Sequence, residues 1–356
     1  MRPIIRPIRP RECFVAVTAL LALAVGLWAT PLAAWFDQQR TPRLSTPSGW
    51  PSPVYDAGQN PVTKAGFELG RRLFYDTRLS KDGTIACASC HQQFAGFAHY
   101  DHRVSHGLNG ANGTRNAPGL ANLAWQRDFM WDGGIVHLEL QPLAPLTNPV
   151  EMGETLARVL AKLRSDASYK ADFERAFGPV DAGGQVVDSQ RLLYALSQFL
   201  VTMISADSRY DRHVAGRETF STEEERGLAS FREHCASCHQ EPLFTDHAYR
   251  SDGVVNDDIG RALITGKPED RGLFRVPSLR NVALTAPYMH DGRFDTLEQV
   301  IQHYRGGIAP AALNDPKLRQ AASLSDADAA DLLAFLQTLS DERFVHDRRF
   351  AEAAAH

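Results

Sequence analysis

The pentapeptide CASCH occurs twice in this chain of 356 residues, at 87–91 and at 235–239. C-x-x-C-H is the attachment pattern of c-type haem, in which two thiols bond to the haem vinyl groups and the adjacent histidine binds the iron from one face. A zinc site would need further Cys or His ligands at suitable spacing, and a disulfide does not need the histidine. The two motifs therefore predict two covalent haems, held by Cys87, Cys90, His91, Cys235, Cys238 and His239.

Two haems have four axial positions, and two of these remain to be assigned. A haem with two strong ligands transfers electrons, whereas a haem with an open position binds peroxide or oxygen. The stretch LEQVIQHYRGG (297–307) places His303 and Tyr304 at the end of a predicted helix, just before two glycines. At this point the residues leave open both an electron carrier and a peroxide-reactive enzyme.

The composition indicates an exported globular protein. Hydrophobic residues make up 44% and charged residues 22% of the chain, which suits one large or two medium domains. The net charge of −4 gives no indication of a nucleic-acid partner. Residues 1–36 combine four arginines with an apolar run that has no charge between Glu12 and Asp37. We expect a signal peptide, or an inner-membrane anchor at residues 13–34, and a mature protein in the periplasm.

Hydrophobic spacing predicts a mostly α protein with long loops, because no alternating run is long enough to indicate a sheet. Residues 37–62 are rich in Pro, Ser and Thr and predict an extended lead-in. Helices are predicted at 64–76, 153–164, 168–177, 188–206, 221–234, about 296–304 and about 326–339. Their predicted N-terminal caps include Ser221 with Glu224, Asp295 with Glu298, and Ser325.

The surroundings of the two CASCH motifs are similar. An apolar helix precedes the motif in GRRLFYDTRLSKDGTIACASCH and again in GLASFREHCASCH. This internal repeat predicts two similar cytochrome c-like domains, near 60–215 and 216–345, each with one haem.

Several segments together resemble the bacterial di-haem cytochrome c peroxidase/MauG superfamily. They are LFYDTRLSKDGTIACASCH, GTRNAP, FMWDGG, PLTNPVEMG and LRNVALTAPYMHDG. The likeness runs in the expected order from about residue 60 to 340. It implies that the N-terminal haem reacts with peroxide and that the six-coordinate C-terminal haem relays electrons.

The resemblance also implies roles for individual residues. Glu151 corresponds to the family's acid/base glutamate, Gln141 and Pro145 to residues of the peroxide pocket, and Trp131 to the tryptophan between the haems. Acid/base chemistry supports the role of Glu151, because a carboxylate beside an open iron can take the proton of peroxide and return it to the leaving oxygen. Without the resemblance, Glu151 would be assigned to a helix start and Trp131 to core packing.

Two further sets of residues follow from the same likeness. Asn116, Thr285 and Pro287 match the ligands of one inter-domain Ca²⁺ ion, the last two through backbone carbonyls. His106 falls where the peroxidases keep a histidine that binds the N-terminal haem in the resting oxidised state, whereas MauG-like members lack that ligand. We expect His106 to line the pocket or support a ligand rather than to bind iron.

Tyr304 is the predicted second ligand of the C-terminal haem. The family's ligand lies fourteen residues after the histidine of APYMHDG, and from His290 that count reaches Tyr304, so Met289 is not the ligand and His303 is expected at the surface. Peroxidases place methionine at this position and MauG-like enzymes place tyrosine. A hard phenolate should stabilise oxidised iron, which suits a bis-Fe(IV) state connected through Trp131.

The segments YDHRVSHG and FMWDGGIVHLELQPLAPLTNPVEMG are similar to those of the MbnH-like di-haem enzymes of methanobactin gene clusters. This likeness implies that hydrogen peroxide drives the oxidation of a tryptophan to kynurenine in a periplasmic partner, an MbnP-like copper-binding protein. The alternatives are a cytochrome c peroxidase that reduces peroxide with electrons from a small cytochrome or cupredoxin, and a pure electron carrier. Family members often form homodimers.

Overall fold

The computed structural model describes residues 43–255, 257–312 and 315–353. The predicted signal or anchor at 1–36 and the first residues of the lead-in, 37–42, lie outside this part of the chain. None of the described helices is long and apolar enough to cross a membrane.

The described residues are mostly helical with long loops, as predicted, and their one named sheet is a pair of two-residue strands. The antiparallel strands are β1 (Tyr249–Arg250) and β2 (Phe274–Arg275). The α-helices are α1 (Lys64–Tyr75), α2 (Cys87–Cys90), α3 (Leu143–Thr147), α4 (Leu156–Arg164), α5 (Ala167–Phe177), α6 (Ser189–Leu200), α7 (Arg209–Val214), α8 (Thr222–His234), α9 (Ala262–Thr265), α10 (Leu297–Gln302), α11 (Pro316–Ala322), α12 (Asp326–Gln337) and α13 (Glu342–Val345).

The helix before each CASCH motif packs against a later helix through a glycine. A Cβ atom on Gly70 of α1 would lie 1.9 Å from the carbonyl oxygen of Ala195 in α6. A Cβ atom on Gly227 of α8 would lie 2.0 Å from the carbonyl oxygen of Asp331 in α12. Both helix pairs therefore approach to backbone contact, which only glycine permits. The internal repeat seen in the sequence thus has a counterpart in packing.

The described residues form one compact unit, in which the buried apolar side chains form two clusters. The first cluster includes side chains of α1 and α6, and the second includes side chains of α8 and α12. Phe344, Val345 and Phe350, from the end of the chain, belong to the first cluster. Tyr75 of α1 secures this segment by donating a hydrogen bond to the carbonyl oxygen of Phe350 at 2.9 Å.

Most of the predicted helix caps are confirmed. Ser221 accepts a hydrogen bond from the Glu224 backbone N–H, and Ser325 caps α12. The cap predicted at Asp295 with Glu298 is wrong by one residue, because Thr296 and Gln299 form the capping box of α10. That helix ends at Gln302 and continues as a π-helix, His303–Gly307.

Candidate active site and haem cavities

The first CASCH motif borders a cavity in the N-terminal half. Cys87 and Cys90 lie in α2, and His91 follows its last residue. The cavity wall contains the residues predicted to hold the first haem, Cys87, Cys90 and His91, and those predicted for the peroxide pocket, His106, Gln141, Pro145 and Glu151. The structure therefore brings together residues that are up to 64 positions apart in the sequence.

Both predicted proximal histidines are held through Nδ1. The Nδ1 atom of His91 lies 2.8 Å from the carbonyl oxygen of Phe97. The Nδ1 atom of His239 lies 3.1 Å from the carbonyl oxygens of Phe244 and Pro277. A carbonyl can only accept, so each Nδ1 carries the proton and leaves Nε2 as the free donor atom for a metal. Burial lowers the pKa of both imidazoles, which favours the neutral form that binds metals.

The thiols also suit covalent attachment of a haem. Cys87, Cys90, Cys235 and Cys238 are all free cysteines. Burial raises the pKa of the Cys87 and Cys235 thiols to about 12. Two thiols and one oriented imidazole beside each cavity are the donor set that c-type haem needs, so these residues fit two such groups.

Glu151 is positioned through its backbone. Its N–H donates to the carbonyl oxygen of Asn148 at 3.0 Å, and its carbonyl oxygen accepts from the N–H of Leu108 at 3.0 Å. Gly107, the residue before Leu108, lies so close to this segment that a Cβ atom there would be 2.4 Å from the Cα atom of Glu151. The carboxylate thus belongs to a segment clamped against the loop that carries His106.

His106 is the member of a row of three histidines that lines the cavity. Its ring lies 5.4 Å from that of His102, which is stacked on His99 at 4.7 Å. The carbonyl oxygen of His106 lies 3.5 Å from the Sγ atom of Cys90. His106 therefore lines the cavity. The expectation that it does not bind iron stays a prediction.

The second CASCH motif borders a larger cavity of about 260 Å³. Its wall contains Cys235, Cys238, His239, Trp131, Met289 and Tyr304. Tyr304 belongs to the π-helix, and such turns are rare and occur often at functional sites. Burial is the main cause that raises the pKa of the Tyr304 hydroxyl above its ordinary value, and the charge of Asp252 is the second cause.

His303 is not a surface residue, so that prediction is wrong. Its side chain is buried, and Nε2 lies 2.9 Å from the carbonyl oxygen of Asp252. Its ring also contacts that of Phe294, with centroids 5.3 Å apart. His303 is buried because the helix widens into the π-turn here and the backbone carbonyl of Asp252 accepts a hydrogen bond from its Nε2–H. It therefore anchors the turn that carries Tyr304.

Trp131 lies in the wall of the C-terminal cavity. Its Nε1–H donates to the carbonyl oxygen of Asn116 at 2.8 Å. Asn116 itself lines the C-terminal cavity, whereas the next residue, Ala117, lines the N-terminal one. Trp131 is thus bonded to the backbone segment that separates the two cavities.

Ion pairs of Arg115 and a hydrogen bond of His290 hold this region, and the sequence motifs did not predict them. Arg115 of GTRNAP pairs with Asp132 of FMWDGG at 2.5 Å and with Asp258 at 2.7 Å. His290 of APYMHDG pairs through Nδ1 with a carboxylate oxygen of Asp252 at 2.7 Å. Arg115, Asp132 and His290 lay within the quoted motifs and could have been singled out. Their partners Asp252 and Asp258 lie in a loop without any recognisable pattern.

The residues predicted to bind calcium line the C-terminal cavity: Asn116, Thr285 and Pro287. Among the residues the structure describes, no group of three His, Cys, Asp or Glu side chains could hold a metal ion. An ion at this position would thus depend on amide and carbonyl oxygens, which calcium accepts.

The chain matches known proteins along most of its length. A family model described as "Di-haem cytochrome c peroxidase" matches residues 64–219, and one described as "Cytochrome c" matches residues 224–340. The methylamine utilization protein MauG of Methylophilus methylotrophus is 33% identical over 311 residues, which are 83% of this chain and 88% of that protein. The cytochrome c551 peroxidase of Nitrosomonas europaea is 32% identical over 284 residues, which are 78% of this chain and 80% of that protein.

Two solved structures are similar to the fold. One is the crystal structure of a MauG-like protein associated with microbial copper homeostasis, with a TM-score of 0.79 and 35% identity over 86% of this chain and 98% of that one. The other is the di-haem peroxidase BthA of Burkholderia thailandensis, with a TM-score of 0.69 and 27% identity over 89% of this chain and 97% of that one.

Proposed function

This chain belongs to the di-haem cytochrome c peroxidase and MauG family, and from this premise we propose that it oxidises an aromatic side chain of a partner protein. As a family member it is a haem-dependent oxidoreductase that uses peroxide. The proposed substrate residue is a tryptophan, converted to kynurenine, in an exported copper-binding protein of the MbnP type. The similarity to a MauG-like protein associated with copper homeostasis supports this choice.

The proposed reaction balances with peroxide as the sole oxidant. Two molecules of hydrogen peroxide accept four electrons from one tryptophan, the indole C2–C3 bond breaks, each of these carbons gains one oxygen atom as a carbonyl, and two water molecules leave. Hydrolysis of the resulting N-formylkynurenine then gives kynurenine and formate. Bound haem supplies the iron at which peroxide is reduced and from which oxidising equivalents reach the substrate.

The residues of this chain contribute acid/base chemistry and positioning. Glu151 takes the proton from one peroxide oxygen and returns it to the leaving oxygen, with Gln141 beside it in the same wall. Trp131 offers an aromatic ring close to the backbone that separates the cavities. Asn116, Thr285 and Pro287 are proposed to hold one Ca²⁺ ion beside it.

The observation that carries the proposal is Tyr304 on the π-turn of the C-terminal cavity. A phenolate ligand favours oxidised iron, whereas a thioether favours reduced iron. Tyrosine therefore suits storage of oxidising equivalents for a demanding substrate, and methionine suits uptake of electrons from a small cytochrome.

Met289 supports a second candidate function because it lines the same cavity as Tyr304. If Met289 were the ligand, the protein would be a peroxidase that reduces hydrogen peroxide with electrons from a small cytochrome or cupredoxin. Spectra of the ferric holoprotein, Tyr304→Phe and Met289→Leu distinguish the two. We expect a tyrosinate-ligated low-spin haem that Tyr304→Phe abolishes and Met289→Leu retains. A thioether charge-transfer band lost in Met289→Leu would refute the assignment.

Exposed apolar side chains near Trp131 support a protein substrate. They are Met130, Val136, Leu140, Leu263 and Ile264. The two segments that carry them touch, since a Cβ atom on Gly134 would lie 2.9 Å from Ile264. Groups of exposed apolar side chains mark interaction sites, and this one adjoins the loop of the proposed electron route. We propose that the oxidised partner docks here.

The remaining proposals concern organisation and location. The two apolar clusters and the two family matches support a division into haem domains at 60–215 and 216–345. The export signal predicted at residues 1–36 supports a periplasmic location, and the family resemblance supports a homodimer. Sedimentation of the holoprotein and fractionation of cells that express the full chain test these two points.

A further inference from the structure

Arg275 is a buried cation that has no matching anion among the residues that the structure describes. It lies in β2, is 6% exposed, and belongs to the wall of the C-terminal cavity. Its Nε–H is buried and has no hydrogen-bond partner. The guanidinium otherwise reaches only the carbonyl oxygen of Val276, at 3.5 Å, beyond the usual range of a hydrogen bond. No carboxylate of the described residues forms an ion pair with it.

The other arginines of this cavity wall are paired. The Nε–H of Arg250 in the neighbouring strand likewise has no partner among the described residues, but its guanidinium is neutralised by Asp246, whose carboxylate oxygen lies 2.6 Å away. Arg280 makes two hydrogen bonds to Asp211, at 2.8 and 2.9 Å. A buried guanidinium remains charged and is strongly destabilising unless an anion and hydrogen-bond acceptors compensate it. The described residues therefore supply no anion for Arg275, which requires an acceptor beyond them.

The charged groups around Arg275 do not meet this requirement. The charge of Asp128 acts on Arg275, but the Asp128 side chain accepts a hydrogen bond from the Tyr249 hydroxyl at 2.8 Å and forms no ion pair with Arg275 among the described contacts. His247 also faces Arg275, and burial with the nearby Arg275 charge lowers its pKa to about 4, so it is neutral. An imidazole of this kind supplies no negative charge.

We infer that Arg275 binds a propionate of the haem attached at Cys235 and Cys238. Haem carries its negative charge on two propionates, and a guanidinium fork matches a carboxylate with two parallel hydrogen bonds. The inference needs only the haem that family membership gives the protein, and it is independent of the proposed substrate.

Arg275 also connects this anchor to the electron route. Its backbone N–H donates to the carbonyl oxygen of Trp131 at 2.8 Å. One residue therefore fixes the anionic edge of the haem with its side chain and the Trp131 loop with its backbone. Arg275 is thus a positioning residue that couples the haem to the tryptophan.

The test uses the holoprotein with Arg275→Gln and, as matched control, Arg250→Gln from the same wall and strand pair. Resonance Raman spectroscopy reports hydrogen bonding of haem propionates through their bending mode, and spectroelectrochemistry reports the midpoint potential of each haem. In Arg275→Gln we expect one bending mode at lower frequency and a lower potential of the C-terminal haem, since an uncompensated carboxylate stabilises ferric iron. In Arg250→Gln the bending modes should stay in place.

An unchanged bending mode in Arg275→Gln would overturn the inference, and so would an equal shift in both variants. If Arg275→Gln fails to retain haem, Arg275→Lys decides, because it keeps the charge but replaces the two-bond fork by a single donor group. The mode should then shift partway. A wild-type bending mode in Arg275→Lys would contradict propionate binding.

Discussion

Replacing Gly107 by alanine should slow the reaction with peroxide without loss of haem. A Cβ atom at this position would lie 2.3 Å from the carbonyl oxygen of Val150 and 2.4 Å from the Cα atom of Glu151. Both contacts are with backbone, so no side-chain rotation can relieve them. Because φ of Gly107 is −128°, the left-handed region is not involved and the effect is steric.

The expected decrease of the peroxide rate constant follows from the distance by which the Glu151 backbone must move. An ordinary contact begins near 3.4 Å, so the Glu151 backbone has to move by about 1 Å from its present 2.4 Å. A displacement of ~1 Å of a catalytic group can reduce a rate by on the order of 10²-fold. We therefore expect the second-order rate constant for peroxide to fall by about 10²-fold.

Stopped-flow mixing of ferric holoprotein with hydrogen peroxide measures this rate constant. Gly306→Ala is the matched control, because a Cβ atom there meets nothing within 4 Å. Haem content and the ferric spectrum show whether both haems remain attached. If Gly107→Ala folds with both haems and reacts as fast as wild type, the clamp on Glu151 is irrelevant and the reasoning is refuted.

Four further variants test other parts of the structure. Glu151→Gln should lower the peroxide rate constant by ~10²- to 10⁴-fold, the usual contribution of a general acid/base. Glu154→Gln, which loses an ion pair with Lys162 at 2.6 Å, should lower the melting temperature and leave the peroxide rate constant near wild type. If Glu154→Gln slowed the peroxide reaction and Glu151→Gln did not, Glu154 rather than Glu151 would be the acid/base group. Burial lowers the pKa of His247 to about 4, so the folded state binds fewer protons than the unfolded state from there up to ~6.5. The free energy of unfolding should accordingly fall as the pH drops through this window, and urea titrations should show a flatter dependence in His247→Asn; an equal slope would show that His247 is not responsible. Val136→Glu with Leu263→Glu should raise KM for the partner protein and leave the peroxide reaction unchanged, since both side chains are exposed; an unaltered KM would place the docking surface elsewhere.

Local signals predicted the helical part of the fold well. Ser221 and Ser325 were assigned as caps because a hydroxyl before an apolar helix has a short-range partner three residues later. The same rule placed the cap of α10 at Asp295 instead of Thr296, since adjacent residues of both kinds compete for the position. Local patterns thus give the existence of an element more reliably than its first residue.

The candidate site was predictable only where residues lie within a motif. CASCH and the spacing from His290 led to residues that the structure places in two cavity walls. His303 was wrongly assigned to the surface because its partner, the Asp252 carbonyl, is 51 residues away and has no side-chain signal. Arg275 was missed for a related reason: its importance lies in the lack of a partner, which only the packed structure reveals.

The packing of the C-terminal segment on the first cluster separates the order of synthesis from the order of folding. Phe344, Val345 and Phe350 fill a core whose other members are mainly from residue 67 to 203. That core lacks three of its side chains until residues 344–350 have been made, although the wall of the first cavity contains none of them. A chain cut short after α12 would keep the cavity wall that holds Cys87 and Cys90 and would lose three side chains from the core that contains α1 and α6.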